Sequence, residues 1–504
     1  MVRQTSLTER RDLVAAEPNS ATAWLELGTA LSDAGESGEA LTALDRASLL
    51  DPRNPAPYRA QAAAYRAAGR QTEALATDMA AMALEARSPV ALYNLATAYF
   101  MAGQLEPAAK WYRLTLALDP DFVAANQNLA AILDSEGRGA EAREHRDRAF
   151  RTQCLFIEPA TTPDSTAPGP ARRVLILSTS GAGNVPIEAL FPPATTTRLK
   201  WFIEYATAEQ AETLPDHDLV FNAIGDADMA DTALEHAAHF VAAPFVVERS
   251  RPVVNRPASI VRTQRHLMPD LLTGIGDVVV PPVIRRTGAI TPAILAEASL
   301  PLPILVRPVG AHGGADIVRI DAPETLDRSL AVTDAGACYI TAYHDYRSAD
   351  GFYRKYRMIF IDRRPFAYHL AISRHWLVHY FSADMLSEPW KRDEERRFFD
   401  DPAGVLGPRA MRAIEAIGRR LDLDFCGIDF GLLADGRVLV FEANATMAVH
   451  LDDPIEQFPY KHEHVPKIFE AFEAMLRARI AATGLQVGSA GSGSIDGARP
   501  EAQL

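Results

Sequence analysis

Residues 425–447 read FCGIDFGLLADGRVLVFEANATM, and this stretch decides the fold of the C-terminal part of the chain. Its outer parts, FCGIDFGLL and RVLVFEAN, are rich in apolar and β-branched residues, which is typical of strands. Between them, Gly436 can adopt the positive φ that a tight turn requires. The stretch therefore predicts a β-hairpin in which Asp429, Glu442 and Asn444 lie about equally far from the turn.

These three side chains all carry oxygen. Glu442 and Asn444 are two positions apart on one strand and so face the same side of the sheet. Burying an unpaired carboxylate on such a face is costly, and a hard cation relieves that cost. Mg²⁺ prefers oxygen ligands and keeps positions for water and phosphate, so the pattern favours a magnesium site. The alternative is an exposed hairpin whose acids are solvated, since Asp and Glu usually lie in water.

The pattern Gly-Ile-Asp, a glycine turn and an apolar strand ending in Glu-x-Asn resembles the last motif of the ATP-grasp superfamily. This superfamily of carboxylate-amine ligases includes D-alanine-D-alanine ligase, glutathione synthetase and the RimK-type amino-acid ligases. The resemblance implies that Asp429, Glu442 and Asn444 hold two magnesium ions on ATP.

Length and composition limit the remaining choices. A chain of 504 residues should form two to four domains. No apolar run approaches 18 residues and the N-terminus has no apolar core, so we expect no membrane span and no signal peptide. Three cysteines without metal-type spacing favour a reducing, cytoplasmic compartment. The net charge of -14 disfavours nucleic acid as the main partner.

The first third of the chain repeats with a period of 34 residues. Three phases agree: Trp24, Tyr58, Leu92 and Asn126; Gly35, Gly69, Gly103 and Gly137; and Ala40, Ala74, Ala108 and Ala142. The glycines predict the ends of first helices, and the alanines allow second helices to pack closely. This pattern resembles the tetratricopeptide repeat (TPR), with four units from about residue 21 in a region that spans residues 1–154. The resemblance implies an all-α superhelix.

The concave face of such a superhelix usually binds an extended peptide. Arg59, Tyr93, Asn94 and Asn128 are the predicted groove residues, with Arg66 and Gln127 close by. An equally weighted alternative is that these side chains only solvate the groove or dock the next domain. The chain lacks the pair of lysines that would mark a clamp for a chaperone C-terminus.

A linker rich in Pro, Thr and Ser is predicted for residues 155–171, and an α/β lobe for residues 172–255. Short apolar strands alternate there with helical stretches, which indicates a parallel sheet. Gly183 and Asn184 lie in a turn that follows the first of these strands. In ATP-grasp enzymes a lobe at this place commonly binds the first substrate, so the resemblance implies a substrate contact at this turn.

Residues 256–485 resemble the nucleotide-binding and catalytic lobes of the ATP-grasp fold, which is α+β. Two family lysines that contact phosphate are matched here by Arg265 and Arg307, which keep the positive charge in a wider, planar group. The glycine-rich loop after Arg307 would close over the triphosphate of ATP through its backbone N-H groups. Its expected contacts are Gly310, His312, Gly313 and Gly314.

Further contacts follow from the same resemblance. Tyr343 and His344 lie in the segment whose backbone would meet adenine, and the family's usual glutamate is missing there. Arg357 matches an arginine that reaches the phosphates or the acyl phosphate, while Lys355 stands where its customary Asp partner would be. The run HLAISRHWLVHYF, residues 369–381, alternates like a strand and is unsuited to one joint metal site. Arg374, His375 and His450 are candidate substrate contacts, and the alternative for Arg374 and His375 is that they are ordinary positions on an exposed sheet. Residues 486–504 read as a disordered tail.

Together these resemblances predict a multidomain protein, with an all-α TPR superhelix followed by an α/β lobe and an ATP-grasp fold. The implied function is an ATP- and Mg²⁺-dependent ligase that joins a carboxylate to an amine through an acyl phosphate. Its substrate would be a peptide or protein presented by the repeats. Two alternatives stay open: an interaction scaffold that has lost catalysis, and a kinase or non-peptide ligase on the same fold.

Overall fold

The computed structural model describes residues 6–161, 171–248, 251–311, 314, 316–329 and 336–490. The chain divides into two compact units, Met1–Cys154 and Leu155–Leu504.

The N-terminal unit is helical throughout its described residues, as predicted. Its helices are α1 (Leu7–Ala16), α2 (Ala21–Asp33), α3 (Ser37–Leu50), α4 (Pro55–Ala67), α5 (Gln71–Glu85), α6 (Pro89–Met101), α7 (Leu105–Leu118), α8 (Val123–Ser135) and α9 (Gly139–Thr152). From α2 onward the helices pack in consecutive pairs, one pair per 34-residue unit. The 34-residue period therefore reports a helix pair.

The repeated glycines end the first helix of each pair. Gly35 has φ +82, a conformation that residues with a side chain rarely adopt. Its N-H bonds to the carbonyl of Ser32, and the next N-H, of Glu36, bonds to that of Leu31. These two bonds satisfy carbonyls that the helix end leaves open. Ala40 is then fully buried, which lets α3 pack closely against α2.

A second feature recurs at the first repeat phase. In three units the residue at this position donates a side-chain hydrogen bond to the carbonyl of a proline six positions earlier. The bonds join Trp24 to Pro18, Tyr58 to Pro52 and Asn126 to Pro120, over 2.9, 3.4 and 2.9 Å. Indole, phenol and amide groups thus all donate to a proline carbonyl, whereas Leu92 in the third unit has no hydrogen-bond donor in its side chain.

The C-terminal unit contains three sheets. Its strands are β1 (Leu155–Glu158), β2 (Arg172–Ser178), β3 (Thr196–Phe202), β4 (Leu219–Asn222), β5 (Val253–Val254), β6 (Val278–Val279), β7 (Val283–Arg286), β8 (Ile304–Pro308), β9 (Val318–Ile320), β10 (Cys338–Ala342), β11 (Tyr353–Ile361), β12 (Arg364–Ser373), β13 (Phe425–Leu432) and β14 (Val438–Asn444). The sheet orders are β1-β3-β2-β4-β5, β7-β10-β8-β9 and β12-β11-β13-β14-β6. We call them the first, second and third sheets.

The helices of this unit lie between and beside the strands. They are α10 (Ala208–Glu212), α11 (Asp231–Ala242), α12 (Pro244–Glu248), α13 (Pro257–Val261), α14 (Met268–Leu272), α15 (Pro292–Glu297), α16 (Pro389–Asp400), α17 (Pro402–Leu406), α18 (Pro408–Leu421) and α19 (Pro459–Ala490), with short 3-10 helices at Ile203–Tyr205, Arg265–Leu267, Pro323–Ser329 and Tyr380–Ser382. The mixture of strands and helices confirms the predicted fold class. Among the described residues, no helix combines the length and hydropathy needed to cross a membrane.

The first sheet matches the predicted parallel arrangement, because β2 pairs in parallel with both β3 and β4. The predicted linker, in contrast, is wrong at its start. Leu155 to Glu158 form β1, which pairs with the edge strand β3, and Phe156 packs edge-on against Phe202. Pairing and ring packing order this segment despite the Pro- and Thr-rich run that follows. Residues 162–170 of the predicted linker lie outside the described residues.

The hairpin predicted from residues 425–447 is confirmed as β13 and β14. Gly436 has φ +81 in the turn, and the N-H of Leu433 bonds to the carbonyl of Arg437 over 2.9 Å. Asp429 lies directly opposite Glu442 in the register. A bulge follows this pair, because the register shifts between Asp429 and Phe430. The register on the turn side of the bulge would continue to Phe441, so the one-residue shift is what brings Glu442 opposite Asp429.

Two other expectations about elements need correction. The strand predicted over residues 369–381 ends at Ser373, since the chain then turns and Tyr346 donates a 2.7 Å hydrogen bond to the carbonyl of Trp376. The predicted tail begins too early, because α19 continues to Ala490; extending an existing helix costs little compared with starting one. Residues 491–504 lie outside the described residues.

The long helix α19 connects two of the sheets. Phe472 packs edge-on against Phe191 and Phe221 beside the first sheet and against Phe425 of the third, with ring centroids 5.6 to 6.2 Å apart. Such ring pairs add to the free energy of burying the apolar surface. Phe472 therefore packs the helix against both the first and the third sheet, and the third sheet also carries the candidate site.

Candidate functional site

Polar side chains form a row across four strands of the third sheet. His369 on β12 lies opposite Arg357 on β11, Arg357 opposite Asp429 on β13, and Asp429 opposite Glu442 on β14. Directly opposed residues of antiparallel strands project to the same face. The sheet register therefore brings together residues from positions 357 to 442 of the chain.

Asp429 is at the centre of this row, and its side chain is only 2% exposed. Arg357 Nε lies 2.5 Å from Oδ1 and Nη2 lies 2.9 Å from Oδ2. Lys355, two positions before Arg357 on the same strand, places Nζ 2.8 Å from Oδ2. Burial alone would raise the pKa of Asp429, but the charges of Lys355 and Arg357 outweigh it and hold that pKa well below its ordinary value.

Glu442 pairs with a residue far from it in the sequence. Arg265, in the 3-10 helix Arg265–Leu267, donates to Glu442 Oε2 and, over 2.9 Å, to the carbonyl of Phe441. Burial would raise the pKa of Glu442, yet the charge of Arg265 keeps it below its ordinary value. Asn444, two positions on, accepts a 3.0 Å hydrogen bond from the hydroxyl of Thr446.

Arg307 faces the same region from the second sheet. It lies opposite Tyr339 in the register and donates to the carbonyl of Ala311 at the start of the glycine-rich loop. Burial, together with the charge of Arg265, lowers the pKa of Arg307 to about 10, so the group is still protonated at pH 7. Gly310 has φ +79, as does Gly314. His312 and Gly313, predicted to belong to this loop, lie outside the described residues.

A cavity of about 210 Å³ lies between the second and third sheets. Its lining includes the apolar side chains Val283, Leu305, Ile317, Ala342, Leu377, Val378 and Leu439. It also includes the charged groups Arg265, Arg307, Lys355, Arg357, Asp429 and Glu442, which we call the charged end. Four basic side chains there accompany two acidic ones, so the charged end is positive overall.

Tyr343 and His344, predicted to lie beside adenine, line this cavity. The N-H of Tyr343 bonds to the carbonyl of Pro303 over 2.9 Å, and Arg319 stacks on the tyrosine ring at 4.1 Å. Burial, with a smaller contribution from Arg437, lowers the pKa of His344, which keeps the imidazole neutral at pH 7.

Other cavity residues escaped the sequence reasoning. Trp376 and His379 line it, although the strand predicted to run through them ends earlier. Burial and the charge of Lys355 lower the pKa of His379. Lys355 was noted only as a departure from the family pattern; its spacing of two from Arg357, which puts both on one strand face, was the available signal.

A second, smaller cavity of about 40 Å³ adjoins the charged end and is lined by Glu442, Asn444, Asp226 and Asp228, among others. Tyr339 donates a 2.5 Å hydrogen bond to Asp228. The small cavity is thus lined both by residues that follow β4 of the first sheet and by the candidate metal ligands Glu442 and Asn444.

Gly183 and Asn184 form hydrogen bonds with loop backbone near the small cavity. The carbonyl of Gly183 accepts the N-H groups of Gly225 and Asp226, over 2.9 and 3.1 Å. Asn184 exchanges two hydrogen bonds with the backbone of Thr179. Both residues lie near the small cavity but hold loop backbone, and neither is among the residues that line it. A substrate contact at these two residues stays a prediction.

The candidate substrate residues Arg374, His375 and His450 are not brought to either cavity. Arg374 packs its guanidinium over Phe352 at 4.4 Å, and His375 is exposed after the end of β12. His450 pairs with Asp452 over 3.1 Å at the surface. The early end of β12 explains the first two, because the chain no longer alternates faces beyond Ser373.

In the N-terminal unit, two of the predicted groove residues meet at one tyrosine. Asn128 donates a 2.8 Å hydrogen bond to the hydroxyl of Tyr112, and Tyr93 packs on the same ring at 5.9 Å. Arg59 instead forms an ion pair with Glu85, and Asn94 is exposed. Tyr93 and Asn128 therefore have a packing role that the sequence did not indicate, while Asn94 is open to solvent.

The oxygen side chains of the site fit Mg²⁺ at Glu442 and Asn444 but not at Asp429. Glu442 and Asn444 offer oxygens beside the small cavity, which suits a hard cation. Asp429 differs, because basic side chains already contact both of its oxygens. Within the described ranges, no group of three or more His, Cys, Asp or Glu side chains is placed to hold a metal ion.

Comparisons with known proteins complete the description. No protein-family model and no curated protein matches the chain. Among solved structures, MamA matches at 23% identity, covering 29% of this chain and 86% of that one with a TM-score of 0.16. D-alanine-D-alanine ligase from Bacillus anthracis, complexed with ATP, matches at 14% identity, covering 64% and 99% with a TM-score of 0.38. VanG D-Ala:D-Ser ligase from Enterococcus faecalis matches at 12% identity, covering 61% and 99% with a TM-score of 0.37.

Proposed function

We propose that the chain is an ATP- and Mg²⁺-dependent ligase that joins a carboxylate to an amine through an acyl phosphate. The observation that carries this proposal is the cavity between the second and third sheets, whose lining combines apolar side chains with a cluster of four basic ones. Apolar side chains suit a flat base, and the basic cluster suits a triphosphate. The adenine would lie near Tyr343 and His344, and the phosphates near Arg265 and Arg307.

Charge explains how such a site would favour phosphoryl transfer. Arg265, Arg307 and Arg357 line the same cavity from three separate elements. Fixed positive groups in a partly dry site stabilise charge that develops on the transferred phosphoryl group. Mg²⁺ bound through Glu442 and Asn444 would supply further neutralisation there.

The proposed reaction has two steps. A carboxylate oxygen of the substrate forms a bond to the γ-phosphorus of ATP while the bond to the bridging oxygen breaks and ADP leaves. The amine then forms a bond to the carbonyl carbon, and inorganic phosphate leaves. His379 can accept the proton that the amine loses, because burial and the charge of Lys355 lower its pKa and keep it neutral. Phosphorylation is required because an unmodified carboxylate is a poor electrophile.

We further propose that the helical repeats present a peptide or protein substrate and that the protein works in the cytoplasm. Asn94 supports the first part, since it is exposed on the first helix of its pair, where a peptide backbone could contact it. Once a substrate is found, Asn94→Ala should weaken turnover of a long peptide but not of a short one carrying the same reacting carboxylate. Equal effects on both lengths would remove the role of the repeats.

The decisive experiment is calorimetric titration of ATP with and without Mg²⁺. The wild type should bind ATP in a Mg²⁺-dependent manner, and Glu442→Ala should lose that dependence. Asp435→Ala is the matched control, because it removes a carboxylate from the exposed turn of the same hairpin. Binding by wild type justifies screening carboxylate and amine pairs for ADP release. If wild type does not bind ATP, the ligase proposal fails and the scaffold alternative takes its place.

A further inference from the structure

Both oxygens of the Asp429 carboxylate are occupied by basic groups of β11. Arg357 contacts Oδ1 and Oδ2 over 2.5 and 2.9 Å, and Lys355 contacts Oδ2 over 2.8 Å. The Lys355 side chain is 18% exposed and the Asp429 side chain 2%, so solvent screens these charges little. The carboxylate is thus compensated by the chain itself.

Glu442 differs from Asp429 in this respect. Of the basic side chains in the described part of the chain, Arg265 forms the ion pair with Glu442, and it does so at Oε2. Oε1 is therefore left for another ligand beside the small cavity, where the Asn444 amide also lies. A divalent cation has oxygen donors here that no ammonium or guanidinium occupies.

Charge repulsion further distinguishes Asp429 from Glu442 as a position for a divalent cation. A divalent cation at Asp429 would lie within a few ångströms of both the Lys355 ammonium and the Arg357 guanidinium. Like charges at such distances in a buried site repel strongly. A cation at Glu442 and Asn444 would contact an oxygen that no basic side chain among the described residues occupies, although Arg265 holds the far oxygen and Arg307 also lines the small cavity. The arrangement therefore accommodates one divalent cation, at Glu442 and Asn444.

We propose that the Lys355 ammonium takes the place of a metal ion at Asp429, so that the ATP-bound protein holds one divalent cation rather than two. This inference rests on the proposed function and specifies its metal requirement. An ammonium has three N-H donors, and the contact with Asp429 uses one of them. The others are free to donate to phosphate oxygens, which a metal at this place would otherwise contact.

The test counts bound cations and does not depend on catalysis. Mn²⁺ is titrated by electron paramagnetic resonance into the full-length protein saturated with the β,γ-imido analogue of ATP. Wild type should bind one Mn²⁺ per chain. Lys355→Asp removes the ammonium and adds oxygen donors beside Asp429, so it should bind two. Arg364→Asp is the control, since it makes the same charge change at an exposed position of β12 and should still bind one.

The outcomes separate this inference from the proposed function. Two Mn²⁺ ions on the wild type, or one on a folded Lys355→Asp variant that still binds the nucleotide, would overturn the role given to Lys355 and leave the ligase proposal standing. A wild type that binds neither nucleotide nor Mn²⁺ would overturn both. If Lys355→Asp does not fold, the wild-type count decides alone, and Lys355→Met provides a second variant that removes the charge at similar length.

Discussion

Asn255 and Asp424 are 169 positions apart, and the side chain of each accepts a hydrogen bond from the backbone N-H of the other. The N-H of Asn255 bonds to Asp424 Oδ2 over 2.8 Å, and Asn255 Oδ1 accepts the N-H of Asp424 over 3.0 Å. The amide of Asn255 also bonds to both backbone groups of Phe425, the first residue of β13. Asn255 is fully buried with φ +57, so this residue fixes where the strand carrying Asp429 begins.

Replacing Asn255 should therefore destabilise the C-terminal unit. Asn255→Ala leaves three buried backbone groups without partners and forces Ala into a left-handed conformation, for an expected loss of about 3–5 kcal/mol in the free energy of unfolding. Asn255→Gly loses the same hydrogen bonds, but Gly adopts a positive φ without strain. Its loss in the free energy of unfolding should therefore be about 1 kcal/mol smaller. Urea unfolding of both variants measures the difference. Losses below 1 kcal/mol in both would contradict the assigned role.

Gly225 should be intolerant of any side chain. An added Cβ would lie 2.9 Å from Thr446 Cγ2 and 3.1 Å from the backbone of Ala445, next to Asn444. Gly225→Ala should cost about 1–3 kcal/mol of stability through overpacking. It should also weaken Mn²⁺ binding, because Thr446 bonds to Asn444.

Gly276→Ala is the matched control for Gly225→Ala. A Cβ at Gly276 meets no atom within 4 Å, and its backbone is not in the left-handed region. Denaturation and Mn²⁺ titration of the two variants should therefore diverge. Equal behaviour of the two variants would show that the packing around Gly225 does not constrain the site.

Arg307 should contribute more to binding ATP than to stability. Its charged group lines the positive end of the cavity, and loss of a charged hydrogen bond costs about 1.5–3 kcal/mol, or roughly 10- to 100-fold in affinity. Arg307→Met should show this loss in calorimetry, and Arg307→Lys should recover part of it by restoring the charge. Arg286→Met, at an exposed position of β7, should bind like wild type. An unchanged affinity in Arg307→Met would remove Arg307 from the phosphate site.

His369 should make the C-terminal unit less stable in acid. Burial, reinforced by the charge of Arg357, holds the pKa of His369 well below 6.5 in the folded protein. Below pH 6.5 the unfolded chain therefore binds more protons at His369 than the folded chain does. The contribution of neutral His369 to the free energy of unfolding is complete above pH 6.5 and is lost as the pH falls. The slope can reach about 1.4 kcal/mol per pH unit.

The test compares wild type with His369→Asn, which has no titrating ring. The difference between their unfolding free energies should be largest at pH 7.5 and should narrow by pH 5.5, because all other titrating groups are shared. Calorimetry of the C-terminal transition follows this difference. Parallel pH profiles would mean that His369 can take up a proton without cost.

Local patterns were sufficient to predict the hairpin and the helix pairs. The turn glycine and the two apolar runs located the hairpin, whereas the bulge that brings Glu442 opposite Asp429 has no signal in the sequence pattern. The period of 34 residues located each helix end at a glycine. In both cases the information lies within a few tens of residues, where backbone conformation is decided by the residues themselves.

Long-range pairing could not be predicted in the same way. The bond between Arg265 and Glu442 depends on how a short 3-10 helix meets β14, which no local pattern encodes. Alternation also misled beyond Ser373, because polar and apolar residues continue to alternate after the strand has ended. Arg374 and His375, two of the candidate substrate contacts, therefore lie after the end of β12 and line neither cavity.

The bonds from Trp24, Tyr58 and Asn126 to prolines six positions earlier have a consequence for how such repeats diverge. Three of the four units keep a hydrogen-bond donor of suitable reach at this position, although size, aromaticity and polarity all differ among the three, whereas Leu92 of the third unit has no donor. The proline supplies a carbonyl in a conformation that its ring restricts. A hydrogen-bond donor six positions after a proline therefore identifies equivalent positions in repeat units whose residues at this position differ.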